Sequence, residues 1–215
     1  LKNNFNAGSR IAEPGISRTP AIRNQPIETL LSQFKSHSLD DLNNAGLMNR
    51  VDTKYLLPIN DLEKLLLILE PFYTVLEIDF SRSFAYRTTY FDTSEFGFYL
   101  MHHNGKLNRF KVRHRLYVDS GDLYVEVKHK TNKRVTQKDR VQIDGNNGSR
   151  DRINTLVSKP FEGSRQPLFK SLICSYVRIA LADETNGERV TLDFNLSFAD
   201  PNPTHLRPYT PGLTA

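Results

Sequence analysis

Cationic side chains recur at every second position in one segment of the chain. These positions are Arg109, Lys111, Arg113 and Arg115, and mostly apolar residues lie between them. Because successive side chains of a β-strand point to opposite faces, a strand here would carry cations on one face and mostly apolar groups on the other. Arginine binds phosphate oxygens through parallel hydrogen bonds, and lysine binds them as a point charge. The spacing therefore indicates a surface for a polyanion.

The next two segments repeat this alternation. Their polar positions are Tyr124, Glu126, Lys128 and Lys130 in the first segment, and Lys138 and Arg140 in the second. Rows of like charge on adjacent strands are unfavourable unless an anion lies across them. We therefore expect three neighbouring strands whose charged face binds phosphate groups.

Shorter alternating stretches occur near both ends of the chain and leave two interpretations open. Their polar positions are Arg50, Asp52 and Lys54, then Tyr176 and Arg178, then Arg189, Thr191 and Asp193. The polar faces could simply be solvated, as one face of an antiparallel sheet commonly is. They could instead line the channel of a barrel whose apolar faces lie outside, beneath helices. The abundance of arginine and the few, regularly placed acids favour the channel, where carboxylates could also hold a divalent cation.

Apolar periodicity and turn residues predict the elements that position these side chains. Predicted strands are 47–57, 73–80, 84–91, 108–118, 122–130, 134–143, 174–182 and 188–197, and predicted helices are 27–35, 60–70 and 150–158. Segment 94–103 is predicted as a short helix or irregular turn. We expect Ser38 and Asn60 to cap helical turns. The pattern is typical of an α+β fold, with an antiparallel sheet or barrel and flanking helices.

Length and composition set limits on organisation. A chain of 215 residues suits one domain, and we predict a flexible arm at 1–26, the domain at 27–199 and an irregular tail at 200–215. The 29 basic and 24 acidic residues give a net charge of only +5, so the positions of the cations matter more than their number. Cys174 is the single cysteine, and neither a signal peptide nor an apolar run of about 20 residues is visible. These features predict a cytoplasmic protein.

The charged segments, taken in order, resemble the VTC domain of polyphosphate polymerases, within the CYTH or triphosphate tunnel metalloenzyme superfamily. The resemblance extends from Arg50 to about Asp193. It is carried by Arg50-Val-Asp-Thr-Lys-Tyr55, Tyr90-Phe-Asp-Thr93, Arg109-Phe-Lys-Val-Arg-His-Arg115, Glu126-Val-Lys128, Lys138-Asp-Arg140, Tyr176-Val-Arg178 and Arg189-Val-Thr-Leu-Asp193. It implies an antiparallel β-tunnel that binds triphosphate or polyphosphate with Mn²⁺ or Mg²⁺. It also implies transfer of the γ-phosphate of ATP to a polyphosphate chain.

The resemblance also implies residue roles. Lys54, Arg113 and Arg115 would be catalytic and orient the transferred phosphate. Further phosphate contacts are implied for Arg50, Arg109, Lys111, Lys128, Lys138, Arg140, Tyr176, Arg178 and Arg189. Metal contacts are implied for Glu126, Asp52 and Asp193. The family's principal metal-binding Glu would lie beyond Ala215, so we expect a tunnel that is incomplete at the C-terminus.

Three functions stay open at this point. The superfamily motif E-x-E-x-K has Arg50 at its first Glu, which favours a polymerase over a tunnel triphosphatase. A non-catalytic module for polyphosphate or nucleic acid is the third. We expect few aromatic side chains on the cationic faces, which argues against nucleic acid, and a tunnel would exclude duplexes. Expected partners are therefore ATP and polyphosphate, with a membrane-protein partner left open. No P-loop or Rossmann motif is present, and His102 and His103 are predicted to lie on the surface.

Overall fold

The computed structural model describes residues 25–43, 52–133, 135–143 and 167–201. Its helices are α1 (Gln25–Leu31), α2 (Leu39–Asn43), α3 (Leu62–Leu69) and α4 (Gly97–His103), and a 3₁₀ turn, Ile59–Asp61, precedes α3. Its strands are β1 (Ser36–His37), β2 (Thr74–Leu76), β3 (Phe84–Asp92), β4 (Arg109–Tyr117), β5 (Leu123–Lys130), β6 (Thr136–Ile143), β7 (Phe169–Asp183) and β8 (Glu188–Ala199). The predicted α+β class is confirmed.

The eight strands form one curled sheet, a half-barrel that matches a tunnel-like fold. Its order is β1-β2-β7-β3-β4-β5-β6, and β8 pairs with β7. All pairs are antiparallel except β1 with β2. Within the described ranges, β6 pairs only with β5 and β8 only with β7, so these two strands are the long edges of the half-barrel.

Helices cover the apolar face of the sheet. Leu31 of α1 and Leu66 of α3 pack with Ile179 and Leu181 of β7 in one core cluster. Phe98 of α4 packs on a second cluster formed by the alternate apolar residues Phe110, Val112, Val125 and Val127. Full burial of each such side chain contributes about 1.5–3 kcal/mol, which fixes the register of the strands beneath.

The opposite face carries the charged residues, as the alternation predicts. Glu126 of β5 pairs with Arg113 of β4 and with Arg140 of β6, and directly paired residues share a face. No helix of the described part packs on this side. The side chain of Arg115 is nevertheless only 12% exposed and that of Glu126 only 16%. The charged face is therefore the concave face, which the curl of the sheet shields from solvent.

The middle strands agree closely with prediction, whereas β2 is shorter. It ends at Leu76 because Ile78 and Ser81 close a tight turn. The two residues inside this turn, Asp79 and Phe80, have φ values of 47° and 62°. Positive φ at both central positions is the geometry of a type I′ turn, which reverses the chain where the pattern predicted a continuous strand.

Two local predictions are wrong. Residues 52–57 form no strand, because a strand needs a hydrogen-bonded neighbour and none of the described strands pairs with them. Leu56 in this segment is 99% exposed. Asn60 is not a cap either: it lies inside the 3₁₀ turn, and Asp61 is the residue before α3.

The predicted cap at Ser38 is confirmed. Its hydroxyl accepts a hydrogen bond from the Asp41 N–H at 3.4 Å, and the Asp41 carboxylate accepts one from the Ser38 N–H at 2.7 Å. This reciprocal pair is a capping box. The predicted helix at 150–158, the strand residues 47–51 and most of both predicted terminal segments lie outside the described ranges.

Candidate functional site

One carboxylate lies among three guanidinium groups at the middle of the concave face. Arg113 donates from Nε to Oε2 of Glu126 at 2.6 Å, and its Nη2 lies 2.5 Å from the same oxygen. Arg115 Nη1 and Arg140 Nε lie 3.8 and 3.9 Å from the other carboxylate oxygen. A single negative charge thus faces three positive charges, and the excess positive charge attracts an anion.

Three lysines form a row beside this cluster, which we call the lysine row. Lys111 of β4, Lys128 of β5 and Lys138 of β6 are directly opposed. Like charges in this arrangement destabilise a sheet. Burial and then the charge of Lys138 lower the pKa of Lys128, while Asp52 opposes that shift. The row therefore places three positive charges side by side, which an anion would neutralise.

Four tyrosines line the same face beyond the arginines, and we call them the tyrosine row. Tyr176 and Tyr86 are stacked with ring centroids 5.2 Å apart, Tyr86 and Tyr117 are 5.0 Å apart, and Tyr117 and Tyr124 are 5.6 Å apart. Burial is the main cause that raises the pKa values of Tyr86 and Tyr176, so both hydroxyls keep their protons at neutral pH. A protonated phenol can donate a hydrogen bond to phosphate.

Arginines lie against the tyrosine row. The guanidinium carbon of Arg178 lies 5.3 Å from the ring centroid of Tyr176, and that of Arg140 lies 3.6 Å from the ring centroid of Tyr124. The expectation of few aromatic residues on the cationic faces is therefore wrong. The sequence itself places Tyr124 and Tyr176 at polar positions of their alternating strands. Tyr86 could not be placed from the sequence, because β3 is polar on both faces and carries Arg87 on the other one.

Two buried polar atoms at the centre of this face lack a partner. Thr88 Oγ1 and Arg115 Nε have no hydrogen bond within the described part of the chain, and the two residues are directly opposed on β3 and β4. Each such buried group costs about 1–3 kcal/mol. The sequence did not mark Thr88, because Thr89 beside it is equally polar.

Two of the three predicted metal ligands, Glu126 and Asp193, are engaged by arginines. Asp193 accepts two hydrogen bonds from Arg178, at 2.6 and 2.7 Å, and Glu126 is held by Arg113. Mg²⁺ and Mn²⁺ require several oxygen ligands. Among the residues that the structure describes, no group of three or more His, Cys, Asp or Glu side chains could hold a metal ion. These carboxylates fit the role of counter-ions and do not by themselves fit a metal site.

The N-terminal motif lies partly at the site. Asp52 is close enough to Lys128 to influence its pKa, so this end of the segment approaches the lysine row. Lys54 is exposed. Arg50 lies outside the described ranges.

Two predicted phosphate ligands lie away from the centre. Arg109 begins β4 and donates a hydrogen bond to the carbonyl of Lys106 at 2.8 Å. Arg189 is four residues from Asp193 along β8, which corresponds to about 13 Å. Both residues could extend the charged face for a long anion.

Comparison with protein-family models identifies the family of this chain. The model of the VTC domain matches residues 49–210, about three quarters of the sequence, and spans every residue of the site. The chain belongs to the VTC domain family. Membership links it to functions related to polyphosphate polymerases. No curated protein matches the sequence of this VTC domain. Within the part that the structure describes, none of its helices has the length and apolar character needed to cross a bilayer.

Proposed function

We propose that this VTC domain binds the triphosphate of ATP and polyphosphate on its concave face, and that the full-length protein transfers the γ-phosphate of ATP to the polyphosphate chain. The observation that carries the proposal is the lysine row, because three opposed cations are maintained next to an arginine cluster of excess positive charge. An extended anion with charge at every phosphate would relieve this repulsion along its length.

The arrangement suits phosphoryl transfer, which needs positioning and charge neutralisation more than covalent catalysis. The γ-phosphorus forms a bond to the terminal oxygen of the polyphosphate chain, the bond from that phosphorus to the β,γ-bridging oxygen breaks, and ADP leaves with the bonding electrons. Arg113 and Arg115 would hold the transferred group, with Thr88 as a further contact. The lysine row would hold the remaining phosphates.

The proposal of a divalent metal ion rests only on the family resemblance. Mn²⁺ or Mg²⁺ would be coordinated chiefly by phosphate oxygens, because Glu126 and Asp193 are each held by an arginine. We assign no step of the transfer to the ion. We place the reaction in the cytoplasm, since the free, buried thiol of Cys174 suits a reducing compartment.

The test is product analysis with the full-length protein, ATP and Mn²⁺. We expect a ladder of polyphosphate on a stained gel, and we expect Arg115→Ala to abolish it. Arg87→Ala, on the outer face of β3, is the matched control and should leave the ladder unchanged. If the protein releases free phosphate and makes no polymer, it is a triphosphatase and the polymerase proposal is wrong. If the protein binds tripolyphosphate but forms neither polyphosphate nor free phosphate, it is a non-catalytic binding module.

The tyrosine row supports a second candidate, a module that binds single-stranded nucleic acid. Cationic strands with aromatic side chains can follow a phosphate backbone while bases stack on the rings. Competition separates the two candidates. If tripolyphosphate displaces labelled single-stranded RNA only weakly, the nucleic-acid module is favoured, and if RNA fails to bind, it is excluded.

A further inference from the structure

Arg140 holds its guanidinium group in a defined position on the concave face. Its guanidinium carbon lies 3.6 Å from the ring centroid of Tyr124 and 5.3 Å from that of Tyr117. Its Nη2 donates a hydrogen bond to the Tyr117 hydroxyl at 3.1 Å, and its Nε lies 3.9 Å from a Glu126 oxygen. These contacts fix a planar cation with one face against an aromatic ring.

About half of the Arg140 side chain is open to solvent. The side chain of Arg140 is 48% exposed, in contrast to 12% for Arg115 at the centre of the site. Nucleobases stack on arginine planes as well as on aromatic rings. A base on the open face would complete a stack in the order Tyr124, Arg140, base.

The position of Arg140 also fits a nucleotide whose phosphates enter the site. β6 is an edge strand of the described sheet, so a base at Arg140 lies at the rim of the half-barrel. Lys138 is two residues away on the same face, which corresponds to about 7 Å and can be bridged by a ribose. The phosphates would then lie on the lysine row and beside Arg113.

We infer that Arg140, Tyr124 and Tyr117 form a nucleobase-binding subsite, so that this protein binds a nucleoside triphosphate more tightly than inorganic tripolyphosphate. This inference rests on the proposed function. It assigns Arg140 to the base, in place of the phosphate contact that the resemblance implies.

Calorimetric titration of the full-length protein with ATP and with tripolyphosphate tests the subsite. Arg140→Lys keeps the positive charge and removes the planar guanidinium group on which a base would stack. We expect this variant to weaken ATP binding about tenfold and tripolyphosphate binding by less than about twofold. Tyr124→Leu should give the same selective loss. Lys138→Gln should weaken both ligands. Arg87→Lys, the same substitution on the outer face, should change neither.

A fluorescent base gives an independent measurement. The fluorescence of 2-aminopurine riboside triphosphate should be quenched when the nucleotide binds to the parent protein, and this quenching should be lost with Arg140→Lys. Equal losses for both ligands would make Arg140 a phosphate contact and overturn the subsite. Equal affinity of the parent protein for ATP and tripolyphosphate would overturn it too, while the proposed function would stand. If the parent binds neither ligand, both proposals fall. Thermal melts establish that each variant is folded, and if Arg140→Lys does not fold, Tyr124→Leu decides.

Discussion

Glu126→Gln separates a counter-ion from a metal ligand. In the unliganded protein the substitution leaves the guanidinium groups of Arg113, Arg115 and Arg140 without their shared negative charge. One ion pair at about 4 Å and an effective dielectric constant of about 20 contributes about 4 kcal/mol. Because Arg113 is 25% exposed and a glutamine keeps one hydrogen bond, we expect a loss of about 2 kcal/mol in the free energy of unfolding.

Tripolyphosphate should reverse most of this loss. The variant has one negative charge fewer at the place where the anion binds, so we expect its affinity for metal-free tripolyphosphate to rise about tenfold. A tenfold change corresponds to about 1.4 kcal/mol, which would reduce the difference in stability to below about 1 kcal/mol at saturating ligand.

The assay is urea denaturation of the parent and variant proteins, with EDTA, in the absence and presence of tripolyphosphate. Glu63→Gln, an exposed acid on α3, is the matched control and should change neither quantity. If Glu126→Gln weakens metal-free tripolyphosphate binding, the carboxylate positions the arginines for the ligand and our account of it as a counter-ion is refuted.

Three further predictions concern the same face and its support. Lys128→Met should stabilise the free protein by about 0.5 kcal/mol at low salt, because it removes a repulsion across the sheet, and should weaken tripolyphosphate binding about tenfold; thermal melts and calorimetry measure both. Arg113→Ala should weaken tripolyphosphate binding at least about tenfold in calorimetry, because it removes a charged hydrogen-bond donor. Burial, with a smaller effect of Lys170, lowers the pKa of His114 to about 4. Because the unfolded chain then binds more protons, His114 should lower the stability by about 1–2 kcal/mol as the pH drops from 6.5 to 4, and denaturation of His114→Phe should show a correspondingly smaller slope.

Each of these three predictions can be contradicted by a specific result. Unchanged stability of Lys128→Met would mean that the lysine row is not strained. Normal affinity of folded Arg113→Ala, with Arg87→Ala as the control, would remove Arg113 from the site. An equal acid slope in His114→Phe and the parent would mean that other groups cause it.

The charged face could be predicted from sequence because its strands obey a strict period of two. Phe110 and Val112 must be buried under α4, and this requirement alone sends Lys111 and Arg113 to the other side. The predicted strands therefore agree with β4, β5 and β6 within about two residues. The charged positions of these three strands also share one face, as predicted.

Other features depend on contacts that the sequence does not encode locally. Residues 52–57 alternate as β4 does, but alternation does not supply a neighbouring strand. Tyr86 and Thr88 reach the concave face through pairing with β4 and β7, whereas β3 alone is polar on both sides. The pairing of Arg178 with Asp193 joins residues 15 positions apart, so an acid predicted as a metal ligand is a partner of arginine.

The most direct test of the central claim compares two triple variants of equal net charge. One replaces Lys111, Lys128 and Lys138 by glutamine, and the other replaces Lys35, Lys64 and Arg87, which are exposed and lie outside the concave-face cluster. We predict that tripolyphosphate binding, measured by calorimetry, is lost in the first and stays within about twofold of the parent in the second. Equal losses in both would show that the anion responds only to overall charge, and would contradict a polyphosphate site on the concave face.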